Sequence, residues 1–366
     1  VNLARVPEGD LTRQTTPDHP AKIPVPRPRA RPINIRRCRP RYRDAHCAIA
    51  EFSSMPRRGY VVGKTLSTQR RADPLCLLCS ARQLASAMPP ESNVFTLGHS
   101  PDPDDAFMFY AMAENKIDLR GYRFEHRLED IQTLNERALR GELHISAISI
   151  HAYAYVSDRY ALLPCGASMG DGYGPIVILK RQTSNVQHST FNEEAAAREF
   201  LRDKTIAVPG KMTSAFLALQ LFLGHTFKHV VVPFDQIFDA VSEGRADVGL
   251  IIHEGQLTYA RAGFTKVIDL GEWWKRETGL PLPLGGNVLR KDIVGPVRRD
   301  LLATMRESID YGLAHRDEAV RHSMPFPREM DATLASKFIG TYVNDYTRVY
   351  GETGRAAIRT LLDAAH

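Results

Sequence analysis

The sequence predicts an α/β protein of two lobes, with a cleft between them and helices packed at the C-terminal end. Three observations carry this. From Val94 onward, short apolar runs alternate with helical segments, as they do in βαβ units. The run Val248-Gly249-Leu250-Ile251-Ile252 is short and wholly apolar, which marks a strand covered on both faces, as parallel strands are. From Ile293 the pattern is helical almost to the end.

Taken in order, Val94 to Gly98 is a strand, Asp104 to Ala113 a helix opened by acidic residues, and Tyr122 to Leu128 a second strand. Asp130 to Arg140 follows as a helix, with Gly141 placed to stop it. His144 to Ile150 is a strand leading into a short helix that holds Tyr153 and Tyr155. Tyr160 to Leu163 and Pro175 to Leu179 are strands on either side of the Gly-rich loop Gly166 to Gly174.

After the polar link Lys180 to His188, helix Glu193 to Leu201 precedes strand Thr205 to Val208, the loop Gly210-Lys211-Met212 and helix Thr213 to Leu223. Val230 to Val232 is a strand, Asp235 to Glu243 a helix and Asp247 to Ile252 a strand. Val267 to Leu270 returns as another strand; past a Pro-Leu-Pro-Leu-Gly-Gly turn, Leu284 to Leu289 leads out of the lobe. Arg298 to Leu313 is the longest helix. The expected division is therefore 91–180 plus 291–366 for the first lobe, with 181–290 inserted as the second. No repeat of fixed period is present, which excludes solenoids and propellers.

The net charge of +6 is unevenly spread. Residues 1–87 hold 15 Arg and 2 Lys against 6 acids, so the remainder of the chain is acidic. Ten prolines in the same stretch, as in Pro24-Val25-Pro26-Arg27-Pro28-Arg29-Ala30-Arg31-Pro32, leave residues 1–90 with little to bury, and a disordered basic leader is expected. The chain starts with Val, and Met88 stands just before the first strand, so the leader reads as a gene-start artefact. Cys76-x-x-Cys79 lies there too, but its spacing to Cys38 and Cys47 matches no standard zinc pattern, so no metal is expected. Basic tails without a fold are usually solvated charge, so no nucleic-acid partner is expected either. Only Cys165 remains beyond the leader, which fits a reducing compartment. No window approaches the roughly 18 apolar residues of a spanning helix, and no signal-peptide core is present, so the expectation is no membrane partner and a cytoplasmic location.

Four strand-to-helix junctions present polar groups: Ser100 before Pro101-Asp102-Pro103, Ser149 with His151, Thr213-Ser214, and His253-Glu254. His253 stands at the carboxyl end of a buried strand, where open α/β sheets bind ligands, and imidazole titrates near neutrality. Helix N-termini and hydroxyls at the other junctions suit an anionic ligand such as a carboxylate. Each has a plainer reading, because Ser, Thr and Asp are the ordinary N-caps of helices. The glycines of Gly170-Asp171-Gly172-Tyr173-Gly174 permit a sharp turn or close approach to a ligand, which makes Gly172 a candidate contact. They run into a strand, unlike a phosphate or dinucleotide loop, so no cofactor is expected. Trp273-Trp274 reads as core packing in preference to a cleft cover.

Read together, these stretches resemble the menaquinone-biosynthesis branch of the periplasmic-binding-protein-like proteins, and most closely the 1,4-dihydroxy-6-naphthoate synthases of the futalosine route. The resemblance rests on Gly98 to Phe107, Glu129 to Asn135, Ser149 to Tyr153, Gly170 to Pro175, Val208-Pro209-Gly210, Ile251 to Glu254, Thr258-Tyr259 and Asp269 through Gly285. It implies a two-lobed type II binding-protein-like fold. It also implies a cytoplasmic, cofactor-independent lyase, dimeric in solution, that converts cyclic dehypoxanthinylfutalosine to 1,4-dihydroxy-6-naphthoate. By the resemblance His253 is the base, and Ser149, Thr213 and Ser214 line the pocket that holds the substrate's carboxylate or hydroxyls.

The first motif departs from that family's Ser-Pro-Cys-Pro-Asn-Asp-Thr: Asp102, Asp104 and Ala106 replace its Cys, Asn and Thr. Two added negative charges weaken binding of an acidic substrate unless they point away or pair with a base such as Lys211. Two alternatives stay open: a solute-binding protein for a small carboxylate, and a chorismate dehydratase-like enzyme of the same pathway.

Overall fold

Two β-sheets organise the computed structural model, which describes residues 93–181, 194–224, 226–325 and 331–365. The leader, its four cysteines and most of the link after Lys180 lie outside the described residues. The first sheet holds β1 (Val94–His99), β2 (Arg123–Leu128), β3 (Ile145–Ser149), β4 (Tyr160–Leu162), β5 (Ser168–Gly170) and β11 (Leu282–Arg290). Its order is β2-β1-β3-β11-β4, with β5 paired to β11. β1 runs parallel to β2 and β3, whereas β11 is antiparallel to β3, pairing Gly285 with Ser149 and Asn287 with Ala147.

The second sheet has the order β10-β6-β9-β7-β8. Its strands are β6 (Ile176–Lys180), β7 (Ile206–Val208), β8 (His229–Val231), β9 (Val248–Ile251) and β10 (Phe264–Asp269). β9 is buried throughout, as its apolar run requires. Its partners are mixed: β7 is parallel to it, but β6 is antiparallel because it enters from the first sheet in the opposite direction. Thus β6 belongs to the second sheet and β11 to the first, and the chain passes between sheets before Ile176 and before Leu282.

Local chemistry explains the helices. In α2 (Ile131–Arg140) the Asp130 carboxylate accepts from the N–H groups of Gln132 and Thr133 at 3.0 and 3.1 Å. Gly141, at φ 73°, ends it in the left-handed conformation that a side chain disfavours. The strand expected at Val267 to Leu270 starts earlier and ends at Asp269, because Asp269 caps α8 (Leu270–Thr278) through the Gly271 and Glu272 N–H groups. That helix buries Trp273 and Trp274 in the core, with Trp274 Nε1 donating to Pro281 O at 3.1 Å.

Two expected loops are strands. From Leu282 onward the Pro-Leu-Pro-Leu-Gly-Gly segment is extended as part of β11, and Ser168–Gly170 inside the Gly-rich loop pairs with it as β5. Their signals are weak because Pro283 lacks an N–H and the pairing slips between Pro283 and Gly285.

The C-terminal helices α9 (Gly295–Ala314), α10 (Arg316–Ser323), α11 (Ala332–Tyr342), α12 (Asp345–Arg348) and α13 (Gly351–Ala364) complete the fold. α9 and α10 pack on α1 (Pro103–Ala113), placing Leu301, Met305, Ile309 and Ala319 among Phe107, Met108 and Phe109. Each large side chain fully buried there stabilises the fold by about 1.5–3 kcal/mol. A further core cluster includes Ile150, Leu250, Trp274, Leu282 and Leu361, and so draws on both sheets.

Candidate active site

A cavity of about 120 Å³ lies where the first-sheet junctions meet the second sheet. Ser100, Asp102, Ser149, Thr213 and Ser214 all line it. His253 and Gly172 are not among its lining residues.

The β1–α1 junction supplies an acidic wall. Ser100 donates twice, its N–H to Asp105 Oδ2 at 2.7 Å and its hydroxyl to Asp102 Oδ2 at 3.0 Å. Asp102 occupies the N-cap position of α1, yet its side chain caps nothing there. It is turned instead toward Ser100 and the cavity. Burial, followed by the nearby Glu254 charge, pushes the Asp102 carboxyl up to about 7. Burial raises Asp105 to about 6, and burial with its two acidic neighbours holds Asp104 well above the usual carboxylate range. No Lys, Arg or His is among the lining residues, and Lys211 is exposed.

The junction between β3 and α3 (Ile150–Val156) is clamped by Asn135 of α2. Its Nδ2 donates to Ser149 Oγ at 2.9 Å, and its Oδ1 accepts from the Ser149 N–H at 2.9 Å. The Ser149 hydroxyl therefore keeps its own proton for the cavity. In α3, the His151 N–H donates to Ser214 Oγ at 3.2 Å.

At the start of α5 (Ser214–Leu223) the hydroxyls of both candidates are engaged within the protein. The Thr213 hydroxyl accepts from the Phe216 N–H at 3.1 Å and donates to Gly210 O at 2.9 Å, which is an ordinary cap. Ser214 Oγ donates to Leu284 O at 2.6 Å, tying α5 to β11. What α5 offers the cavity is its N-terminal backbone and dipole.

Ile252 reaches the cavity wall, and His253 follows it. The Gly255 N–H donates to His253 Nδ1 at 3.0 Å, while Glu254 Oε2 lies 3.4 Å from the same atom. An accepting Nδ1 carries no hydrogen, so the neutral ring in this arrangement holds its proton on Nε2. That atom is enclosed and meets no protein hydrogen-bond partner. Phe234 and Phe238 pack edge-on against the ring at 5.6 and 6.1 Å. The Glu254 charge raises the Asp102 carboxyl, and His253 and Glu254 follow the wall residue Ile252 in the chain. Gly172 has φ 83° and open space around it, which explains the glycine by its turn.

Sequence reasoning missed Asn287 of β11 and Phe338 and Tyr342 of α11, all on the cavity wall. Gly285-Gly286 ahead of Asn287 was the available signal, since paired glycines in a strand mark close approach. Among the described residues no group of three or more His, Cys, Asp or Glu is arranged to hold a metal ion, and no helix is long and apolar enough to cross a membrane.

Residues 95–366 match the family described as menaquinone biosynthesis. Two relatives carry the name 1,4-dihydroxy-6-naphthoate synthase. The one from Thermus thermophilus is 38% identical over 269 residues, 74% of this chain and 93% of its own. The one from Streptomyces coelicolor is 34% identical over 279 residues, 75% of this chain and 93% of its own. A crystal structure of an Archaeoglobus fulgidus protein is 43% identical, covers 75% of this chain and 97% of that one, and superposes with a TM-score of 0.68. A Candida albicans protein described as having the generic periplasmic binding protein fold superposes at 0.55 with 12% identity, covering 74% of this chain and 90% of its own, a likeness of fold alone. The chain thus has the periplasmic-binding-protein-like fold expected of it and belongs to the menaquinone-biosynthesis family.

Proposed function

We propose that this chain is a 1,4-dihydroxy-6-naphthoate synthase, a lyase that fragments cyclic dehypoxanthinylfutalosine in a cleft between two lobes, with His253 as general base. The observation that carries this reading is the convergence of Ser100, Asp102, Ser149, Thr213 and Ser214 on one cavity, whose wall also includes Ile252, the residue before His253. The names of two relatives matched over 93% of their lengths support the reaction.

In this reading the substrate carboxylate faces the start of α5, where the backbone N–H groups of Ser214 and Ala215 and the helix dipole favour negative charge without a cation. Ser149 donates its hydroxyl proton to a substrate oxygen. The acidic wall is tolerable because burial raises Asp102 to about 7 and holds Asp104 well above the usual carboxylate range, so near neutrality the cavity does not carry three full charges even though Asp105, at about 6, is mostly ionised there.

His253 removes a proton adjacent to a carbonyl and so starts the elimination. A base needs a lone pair on the nitrogen that faces the substrate. The proton then belongs on Nδ1, where Glu254 Oε2 at 3.4 Å accepts it in place of the Gly255 contact. Glu254 is thereby a positioning residue for the tautomer. The same reading has the enzyme acting in the cytoplasm as a homodimer, needing no cofactor, with each lobe built on one of the two sheets.

The test is to incubate the chain with cyclic dehypoxanthinylfutalosine and follow the dihydroxynaphthoate by mass. Product is expected from the parent and none from a folded His253→Ala variant. A fully active His253→Ala variant sinks the base assignment, and a folded parent that makes no product sinks the reaction.

A further inference from the structure

Asn287 is 1% exposed and lines the cavity, yet one of its polar atoms has no protein partner. Its Nδ2 donates to Gly166 O at 3.0 Å, and that contact settles which end of the amide is which, since an oxygen turned toward a carbonyl would meet only another acceptor. The unpartnered atom is therefore Oδ1, an acceptor. A buried acceptor left unpaired is costly, and the cost is relieved when a ligand brings a donor.

Sheet geometry says what lies beside it. Asn287 pairs with Ala147 and Gly285 with Ser149 across the antiparallel β3–β11 ladder. Directly opposite residues share a face, as do residues two apart on one strand, so these four form one patch, and all four line the cavity. Gly285 and Ala147 have almost no side chain, which leaves a flat floor. Asn287 and Ser149 stand at diagonal corners, about 7–8 Å apart. Ser149 keeps a donor and Asn287 Oδ1 is an acceptor, so the floor suits one small ring with an acceptor at one end and a hydroxyl at the other.

We infer that Asn287 is a specificity-determining residue, whose Oδ1 accepts a hydrogen bond from a ring hydroxyl of the ligand and so selects hydroxylated ligands over deoxy ones. Its hold on Gly166 is separate and structural. Gly166 has φ 77°, and a Cβ there would overlap the Asn287 amide.

The assignment rests on the proposed reaction only for the choice of probe. Binding of cyclic dehypoxanthinylfutalosine is measured by calorimetry beside analogues in which each ring hydroxyl in turn is replaced by hydrogen. One analogue should bind the parent protein about tenfold or more weakly. Asn287→Ala should bind that analogue and the full compound alike. Asn287→Asp loses the donor to Gly166 but keeps an acceptor, so it should retain the preference. A purely structural Asn287 predicts no hydroxyl preference lost in either variant. If both variants fail to fold, the analogue series on the parent still decides, because equal binding of every analogue overturns the assignment. It is also overturned if Asn287→Ala keeps the preference or if the parent binds none of the compounds. Product formation is scored separately: product without hydroxyl discrimination removes Asn287 alone, and discrimination without product removes the reaction alone.

Discussion

The backbone N–H of Gly255 donates to Nδ1 of His253 at 3.0 Å, and the Glu254 carboxylate waits 3.4 Å from the same nitrogen. The two contacts demand opposite tautomers. With Gly255 as donor the free nitrogen carries hydrogen, whereas with Glu254 as acceptor it carries a lone pair.

Glu254→Gln keeps the size of the side chain and removes the charge that favours hydrogen on Nδ1. The glutamine amide can itself donate to Nδ1 and so reinforces the wrong tautomer. The expected result is a kcat roughly 10²–10⁴-fold lower with KM little changed, as for other bases deprived of their orienting carboxylate. Steady-state kinetics check it. An unchanged kcat means that His253 does not depend on Glu254 for its tautomer.

Asp102 gives a pH signature of known sign. Its folded-state value near 7 lies above the ordinary carboxylate value of 3.8, so the folded protein binds more protons than the unfolded chain between those limits. The stabilisation is present at low pH and is lost as pH rises through 7. The groups acting on it are Glu254, Asp105 and Asp104, with His253 and the Ser100 hydroxyl opposing them. Asp102→Asn should therefore raise the melting temperature at pH 8, and the gain should shrink as the pH is taken to about 5. Melting curves across that range test it, and a gain independent of pH contradicts the buried-charge account.

How much of this was legible in the chain depends on how local the cause is. α2 was readable at both ends because Asp130 and Gly141 act within one turn of their own positions. The strand Val248–Ile251 was readable because its burial is written in its composition. β11 was not, since Pro283 and Gly285-Gly286 read as a turn and only pairing with β3, β4 and β5 makes them a strand. The cavity shows the same split. Ser149 and Asp102 stood out as polar residues near strand ends, but Thr213 proved to be engaged as a cap, and Asn287 was marked only by the glycine pair before it. Its importance comes from Gly166 and Ala147, which are distant in sequence.

The passage of the chain from the first sheet to the second depends on two glycines in contact. A Cβ on Gly271 would overlap the Tyr173 carbonyl, and one on Gly174 would meet Gly271 backbone atoms at 2.9 Å. These neighbours are main chain and have no rotamer by which to yield. Gly271→Ala should lower unfolding stability by roughly 2–3 kcal/mol, at the upper end for overpacking. Urea unfolding measures this, and a loss under about 0.5 kcal/mol would show that the loop 171–175 can move aside.

Asn135 acts on Ser149 through both of its ends, and the two ends can be separated. Asn135→Asp keeps an oxygen to accept the Ser149 N–H, so the backbone at the β3–α3 junction stays where it is. The other end changes from donor to acceptor. Ser149 Oγ no longer receives a hydrogen bond from Nδ2; its own proton instead turns inward to the new carboxylate oxygen. The cavity then loses a donor while keeping its shape. Ligand affinity should fall by about tenfold, the cost of one hydrogen bond, measured at a temperature where the variant is folded, because a carboxylate at this fully buried position also lowers the melting temperature. Ser149→Ala should produce a similar loss in the parent and almost none in the Asn135→Asp background, because the donor it removes is already turned away. Additive losses in the double variant would mean that the Ser149 proton is not governed by Asn135.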